Sequence, residues 1–293
     1  MTVNSSCLPC MNSQVDRLIR LTTKNETHAN SIRKMIDEMM RELPVEKLSP
    51  PEIAQMVYSV IAKNTGVEDP FSREKKNSNR EAMELYPLFR EFAERHEDRL
   101  SAAVKLAALG NIIDYAIHGH VPDADSIMRE ADSSSFTVDS LERFRAELAV
   151  AKSLFYILDN SGEIVLDRIM IETLKELYPS LAITAAVRSG PVINDVTLED
   201  AVEVGLDSLV PVVTPGGEPL PGIPVTRGPE FDTLFRKSDI VLAKGQGNFE
   251  SRGISRPVYH LFKIKCGVVS NMMKHPENSL IFYYRSGPED EPR

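Results

Sequence analysis

The sequence predicts an α/β fold: a helical N-terminal domain over residues 1–150, followed over residues 151–293 by a mostly parallel sheet wrapped by helices. Three observations carry this prediction. Apolar residues in the first half recur at helical spacing. From Leu154 onward the pattern changes to short apolar runs alternating with helix-period segments, as in strand–helix units. The apolar run Leu154–Leu158 also stops abruptly at Asp159-Asn160-Ser161-Gly162-Glu163, where a helical pattern of Ile164, Ile169, Leu174 and Leu177 takes over. That is strand, polar turn, helix, and open α/β sheets bind ligands outside the carboxyl ends of such strands.

Composition narrows the function classes. A chain of 293 residues has room for two domains. With 34 Lys and Arg against 43 Asp and Glu, the net charge of -9 argues against a general nucleic-acid binder, which needs a basic face. It leaves room for a phosphate ligand, because one local Lys and a cation outweigh distant carboxylates. No run of twenty apolar residues is present, so no membrane span is expected. Residues 1–14 lack the charged and apolar regions of a signal peptide, and a cytoplasmic protein is the expectation. Three cysteines, Cys7, Cys10 and Cys266, cannot make a full disulfide framework. Cys7-Leu8-Pro9-Cys10 has zinc-like spacing but is a single pair; reduced or weakly redox-active thiols are as good a reading as a metal site.

In chain order, Ile32, Met35, Ile36, Met39, Met40 and Leu43 form one helical stripe, more consistent with core than with a ligand surface. Ser49-Pro50-Pro51-Glu52 is a capping box with proline in the first turn, opening a helix that Thr65-Gly66 closes. The polar run Ser72–Asn79 reads as a loop, with a second capping box at Ser78-Asn79-Arg80-Glu81 opening a helix towards Phe92. Leu100–Ile117 is an apolar helix containing Asn111 and Asp114 on one face, which either are buried polar groups or line a site. His118–Ser140 reads as a turn-rich loop near the domain junction, whose His118 and His120 suit solvent better than metal, and Asp139 caps a helix through Leu141, Phe144 and Leu148. Strands are expected at Leu154–Leu158, Ala182–Val187, Ser208–Val213, Ile240–Ala243, Val258–Ile264 and Leu280–Tyr284. Helices are expected at Gly162–Leu177, Leu198–Val204 and Phe231–Lys237, with a proline-rich loop over Val213–Gly228.

Three of the strand tips carry matching chemistry. Asp159 and Asn160 offer hard oxygen donors suited to Mg²⁺ or Mn²⁺, although both residues equally suit a turn or helix cap. The run Ala182–Val187 leads into Arg188, Asn194 and Asp195, and Ile240–Ala243 leads into Lys244-Gly245-Gln246-Gly247-Asn248. In a parallel sheet these tips share one edge, bringing oxygen ligands for a cation beside fixed positive charge for an anion. Gly245 and Gly247 would let the backbone curl around an oxyanion.

Asp159-Asn160-Ser161-Gly162-Glu163, Asn194-Asp195 and Lys244-Gly245-Gln246-Gly247-Asn248, in this order, resemble the motifs of the damage-control metal-dependent phosphatases, formerly domain-of-unknown-function family eighty-nine. Gly110-Asn111 with Asp114 is similar to the family's helical motif, and Cys7 with Cys10 resembles its prokaryotic cysteine-bearing subgroup. The likeness covers nearly the whole chain. It implies a helical part packed on a Rossmann-like α/β domain, and a divalent-metal site made by Asp159, Asn160 and Asp195. It implies that Lys244 contacts the phosphoryl group, and it moves Asn111 towards the site. The expected cofactor is Mn²⁺ or Mg²⁺, with Co²⁺ or Ni²⁺ as alternatives.

The function expected is hydrolysis of a small phosphomonoester, a sugar phosphate or damaged phosphometabolite, by a metal-dependent phosphatase. Asp159, Lys244, Arg188 and Glu163 are the expected catalytic residues; Arg188 holds the phosphate or the rest of the substrate, and Glu163 serves as acid or base or merely solvates a helix start. Asn111, Asp114, Asn194, Gly245, Gly247 and Asn248 are the expected substrate-binding residues. The attacking group is open between water and Asp159; haloacid-dehalogenase phosphatases carry a second Asp two residues on, where this chain has Ser161. The rival reading is a non-catalytic binder of a nucleotide or sugar phosphate. A methyltransferase ranks last, because Asp159-Asn160-Ser161-Gly162 is a poor glycine-rich cofactor loop. The partner expected is a small-molecule phosphate ester, with no nucleic acid and no membrane; the oligomeric state is left open.

Overall fold

The computed structural model describes residues 1–110, 123–287 and 290. Three helices open the chain: α1 (Leu8–Thr22), α2 (Glu26–Glu42) and α3 (Pro50–Thr65). Their apolar stripes meet in one core that includes Val15, Leu18, Ile32, Ile36, Ile53 and Val57. Asn25 Oδ1 caps α2 by accepting the His28 N–H at 3.0 Å. At α3 the capping box forms as its sequence predicts, with the Glu52 carboxylate accepting the Ser49 N–H at 2.7 Å, and Gly66 ends the helix at φ 71°.

α4 (Ser72–Arg95) corrects the expected loop over Ser72–Asn79 and the expected helix start at Ser78. The polar run is helical because other elements satisfy its side chains. Lys75 pairs with Asp200 at 2.8 Å, and Asn79 Nδ2 donates to Asp200 and Glu203 at 3.0 and 2.8 Å. α5 (Arg99–Leu109) is capped by Asp98. α6 (Ala124–Ser133) stands where a loop was expected, burying Ala124, Ile127 and Ala131 at helical spacing. α7 (Leu141–Leu148) starts where Asp139 Oδ1 accepts the Leu141 N–H at 2.8 Å, as its capping role predicts.

The strands are β1 (Val138–Asp139), β2 (Ser153–Ile157), β3 (Ala182–Ala186), β4 (Val212–Val213), β5 (Ile240–Lys244), β6 (Val258–Lys263) and β7 (Leu280–Arg285). They form one seven-stranded sheet in the order β1-β7-β6-β5-β2-β3-β4, parallel throughout except for β6 against β7. β4 is shorter than expected because the Leu209 and Val210 N–H groups turn back to the Leu206 carbonyl at 3.0 and 3.2 Å. β1 and the short helices Gln246–Glu250 and Gly267–Met273 had no sequence expectation. The expected helices appear as α8 (Glu163–Leu177), Leu198–Glu203 and Pro229–Lys237.

β2 lies mid-sheet and alternates its faces: Leu154 and Tyr156 join the core beneath α4, α5 and α8, whereas Phe155 and Ile157 pack on Phe231 and Phe235 from the opposite layer. Full burial of each such side chain is worth roughly 1.5–3 kcal/mol. The fold is therefore α/β and Rossmann-like, with strands β4-β3-β2-β5-β6 ordered as in doubly wound sheets. Apolar packing separates near Phe71: α1–α3 have their own core, while α4–α7 share the core of the sheet, which runs continuously across residue 150. Among the described residues no helix is long and apolar enough to cross a membrane. From β2 the chain winds outward through β3 and β4, then returns to β5 on the other side of β2. This reversal opens a crevice at the carboxyl ends of β2, β3 and β5, the place where such sheets bind ligands.

Candidate metal and phosphate site

Asp159 and Asn160 stand just past the end of β2. The segment after β3 is drawn alongside them by a bridge pairing Asn160 with Asp195. The Val196 N–H donates to the Asp159 carbonyl and the Ser161 N–H to the Asn194 carbonyl, both at 2.9 Å. Asp159, Asn160, Asn194 and Asp195 consequently line one cavity of about 280 Å³, whose opposite wall comes from α1 and α3. The three expected metal residues are together.

Their electrostatics are demanding. Asp159, Asn160 and Asp195 are all buried. Burial, with the carboxylates of Asp195 and Glu163 close by, pushes the Asp159 carboxyl up to about 8, against the pull of Arg188 and Lys265. Burial also raises Asp195, opposed chiefly by Arg188. Arg188 bridges the pair, its Nε donating to Asp195 at 2.5 Å and its Nη2 to Asp159 at 3.2 Å. Its Nη1 reaches Asn248 Oδ1 at 3.1 Å and the Gly222 carbonyl at 3.2 Å. Arg188 is thus buried and fully engaged behind the carboxylates, and it does not line the cavity.

The donor set fits a hard divalent cation. Burial raises the proton affinity of Asp159 first, the neighbouring Asp195 and Glu163 add to it, and the one guanidinium beside the pair does not offset them. Asn160 Nδ2 donates to Asp159 Oδ2 at 3.0 Å and to Glu163 Oε1 at 2.8 Å. Both amide hydrogens are therefore used, leaving the carbonyl oxygen as the group Asn160 offers a cation. Two carboxylates and one amide oxygen suit Mg²⁺ or Mn²⁺.

Lys244 lies elsewhere than the resemblance implies. Its Nζ is fully buried, 2.9 Å from Asp167 and 3.4 Å from Glu163, and the residue does not line the cavity. Burial disfavours its charge, but Asp167 and Glu163 more than offset this and hold the ammonium above its ordinary pKa. Tyr156 donates to the same Asp167 oxygen at 2.6 Å. The result is a buried chain from Tyr156 through Asp167, Lys244 and Glu163 to the amide of Asn160.

The expected oxyanion cradle also differs. The Gly245 N–H donates to the Leu261 carbonyl at 3.0 Å and so prolongs the sheet. Gly245 is needed for another reason: at φ +81°, a Cβ there would lie 1.8 Å from Asp159 Oδ2. At Gly247, which does line the cavity, a Cβ would lie 2.7 Å from the Pro221 carbonyl. Asn248 is buried, and its Nδ2 clamps the carbonyls of Lys244 and Leu158 at 2.6 and 3.2 Å. It ties two strand tips together and does not line the cavity. Asn111 and Asp114 lie outside the described residues, as do His118 and His120.

The cations on the cavity wall are Arg17 from α1 and Lys265 from the turn after β6, neither singled out from sequence. Arg17 sits over the Phe71 ring at 5.1 Å. Tyr58 from α3 joins them; its buried hydroxyl approaches the Ile193 backbone without completing a hydrogen bond. The signal available in the sequence was weak: each is one polar residue in an ordinary helix or turn, and Arg17 and Tyr58 reach the cavity only through the packing of α1 and α3, Lys265 through the turn after β6. Cys7, Cys10 and Cys266 line a neighbouring cavity as free thiols. Among the described residues, no group of three or more His, Cys, Asp or Glu side chains is arranged to hold a metal.

Comparison with known proteins agrees with this architecture. The family profile described as the damage-control phosphatase ARMT1-like domain matches residues 3–281. A damage-control phosphatase of Pyrococcus horikoshii is 29% identical over 286 residues, spanning 96% of this chain and 97% of that protein. One of Archaeoglobus fulgidus is 28% identical over 279 residues, spanning 92% of this chain and 94% of the relative. The crystal structure of a DUF89 family protein from P. horikoshii superposes with a TM-score of 0.85 at 26% identity, covering 100% of each chain.

Proposed function

The chain belongs to the damage-control phosphatase ARMT1-like domain family, which carries a phosphatase role in metabolite repair; on that premise we propose that it is a divalent-metal-dependent hydrolase of small phosphomonoesters, sugar phosphates or damaged phosphometabolites. The observation that supports this most is the pair of buried carboxylates, Asp159 and Asp195, beside an Asn160 whose amide hydrogens are both consumed, on the wall of a cavity at the reversal of the sheet. Asp159, Asn160 and Asp195 would hold a Mn²⁺ or Mg²⁺ ion, which would supply Lewis-acid polarisation of a phosphoryl oxygen and acidify a coordinated water.

The chain's own residues do the rest. Lys265 and Arg17, on the cavity wall, place fixed positive charge where the phosphate sits. Arg188 holds both carboxylates in register, so that the ligand face is formed before substrate arrives. Lys244 acts through Glu163, which accepts from the Asn160 amide nitrogen and so leaves the Asn160 carbonyl oxygen as the group offered to the ion. The helices α1 and α3 form the wall of the cavity that faces the carboxylates.

The test is phosphate release from a panel of phosphomonoesters by chelator-stripped protein, with Mn²⁺, Mg²⁺, Co²⁺ or Ni²⁺ restored one at a time. Release that depends on the restored ion supports the reading. Metal-dependent binding without any release would instead favour a non-catalytic sugar-phosphate or nucleotide binder.

A further inference from the structure

The cavity at Asp159 does not stand alone. A second chamber of about 300 Å³ abuts it, and the two share wall residues including Leu18, Ala54, Tyr58 and Glu250. Beyond that shared wall the chamber is lined by Met11, Val15, Ile53, Val57 and Val268, with Cys7, Cys10 and Cys266 along one side. Its polarity therefore runs in one direction, from carboxylates and cations at the sheet to aliphatic carbon and thiol beneath α1. Tyr58 lines both cavities, while its hydroxyl is buried and approaches the Ile193 backbone.

Resting on the phosphatase reading, we propose that the preferred substrates are phosphomonoesters of an elongated alcohol: the phosphate sits by Asp159 and Asp195, and an unbranched, largely apolar arm passes the shared wall at Ala54 and continues into the chamber between α1 and α3. A bare hexose phosphate would set hydroxyls against Val15, Ile53 and Val57, where nothing pairs with them. An aliphatic arm of the same length releases water from those side chains and needs no partner.

Two measurements test this independently. In the first, kcat/KM is compared for ethyl, butyl and hexyl phosphate with the metal-loaded protein. Each added methylene should raise kcat/KM by up to about fourfold until the chamber is filled. Ala54→Leu, which adds volume at the junction of the two cavities, should lower the hexyl-to-ethyl ratio at least tenfold. In the second, metal-loaded protein is alkylated with iodoacetamide at pH 9 and each cysteine is followed by mass spectrometry. The alkaline pH is chosen because burial and the neighbouring Cys266, Glu250 and Cys7 raise the exposed Cys10 thiol. Saturating hexylphosphonate, whose P–C bond is not hydrolysed, should slow Cys10 alkylation severalfold, and ethylphosphonate should not. Cys10 protection without phosphate release from any ester would uphold the chamber as a site for the arm and remove the phosphatase reading. Phosphate release with no chain-length dependence and no protection of Cys10 would overturn the proposal and leave that reading standing.

Discussion

The floor and the roof of the cavity are built on opposite principles. In the floor the charged groups are paired: Arg188 spans Asp159 and Asp195, Asn160 spans Asp159 and Glu163, and Lys244 neutralises Glu163 and Asp167. In the roof, Tyr58 has an unmatched hydroxyl, and the neighbouring chamber passes from Gln14, Gln246, Glu250 and Lys265 at the shared wall to mostly aliphatic side chains and thiols beyond it. The floor is electrostatically preorganised, so a change of charge there costs stability or turnover. The roof supplies shape and selects what enters. Mutations in the two regions should therefore fail in different ways.

The largest effect is expected deepest in the floor. Lys244→Met leaves Glu163 and Asp167 buried without their cation and should cost about 3–5 kcal/mol of stability, read from urea denaturation. An unperturbed midpoint would mean that Lys244 is not the counter-charge of this chain. Next comes Asp195→Asn, which keeps shape but removes a cation ligand. Turnover should fall by about a hundredfold or more while the fold survives. Full turnover in this variant would dissolve the contrast between floor and roof.

A smaller effect concerns pH. Asp159 holds its proton up to about 8 in the metal-free folded protein, against an ordinary 3.8 when unfolded. Between those values the native state binds the extra proton, so stability in chelator should fall as pH rises across that window. Asp159→Asn should flatten the slope between pH 5 and pH 8, and an equally steep slope in the variant would assign the titration to another group. The smallest effect belongs to the roof. Tyr58→Phe should leave stability unchanged or slightly higher, because the lost hydroxyl had no completed bond, and should leave KM and kcat within about twofold, because that hydroxyl is buried beyond a substrate's reach. A large drop in kcat would move Tyr58 into the reacting machinery.

This division also explains what the sequence made legible. The floor lies on consecutive strand tips, where short-range pattern and topology suffice: an apolar run ending at Asp159-Asn160 announces both the strand and the ligand face. Strand–helix alternation after Leu154 likewise exposed the Rossmann-like sheet. Long-range satisfaction was not legible. Ser72–Asn79 looked like a loop because its polar residues find partners at Asp200 and Glu203, more than a hundred residues away. Lys244 looked like a phosphate contact because sequence places it at a strand tip but does not show that its side chain turns back into the core to meet Asp167. Arg17 and Tyr58 became site residues only through the packing of α1 and α3 against the turns at Val192 and Ile193. The two-residue strand β1 is held by pairing with β7 and carries no period of its own.

The central claim is that Asp159, Asn160 and Asp195 hold one divalent cation. It is tested most directly by calorimetric titration of Mn²⁺ into chelator-stripped protein at pH 7, repeated in buffers of different ionisation enthalpy. The account predicts one ion per chain. Binding should release close to one proton, because the raised Asp159 carboxyl must ionise to become a ligand. Asp159→Asn should weaken binding at least tenfold and abolish the proton release. Equal affinity and equal proton release in the wild type and Asp159→Asn would place the cation elsewhere and contradict the account.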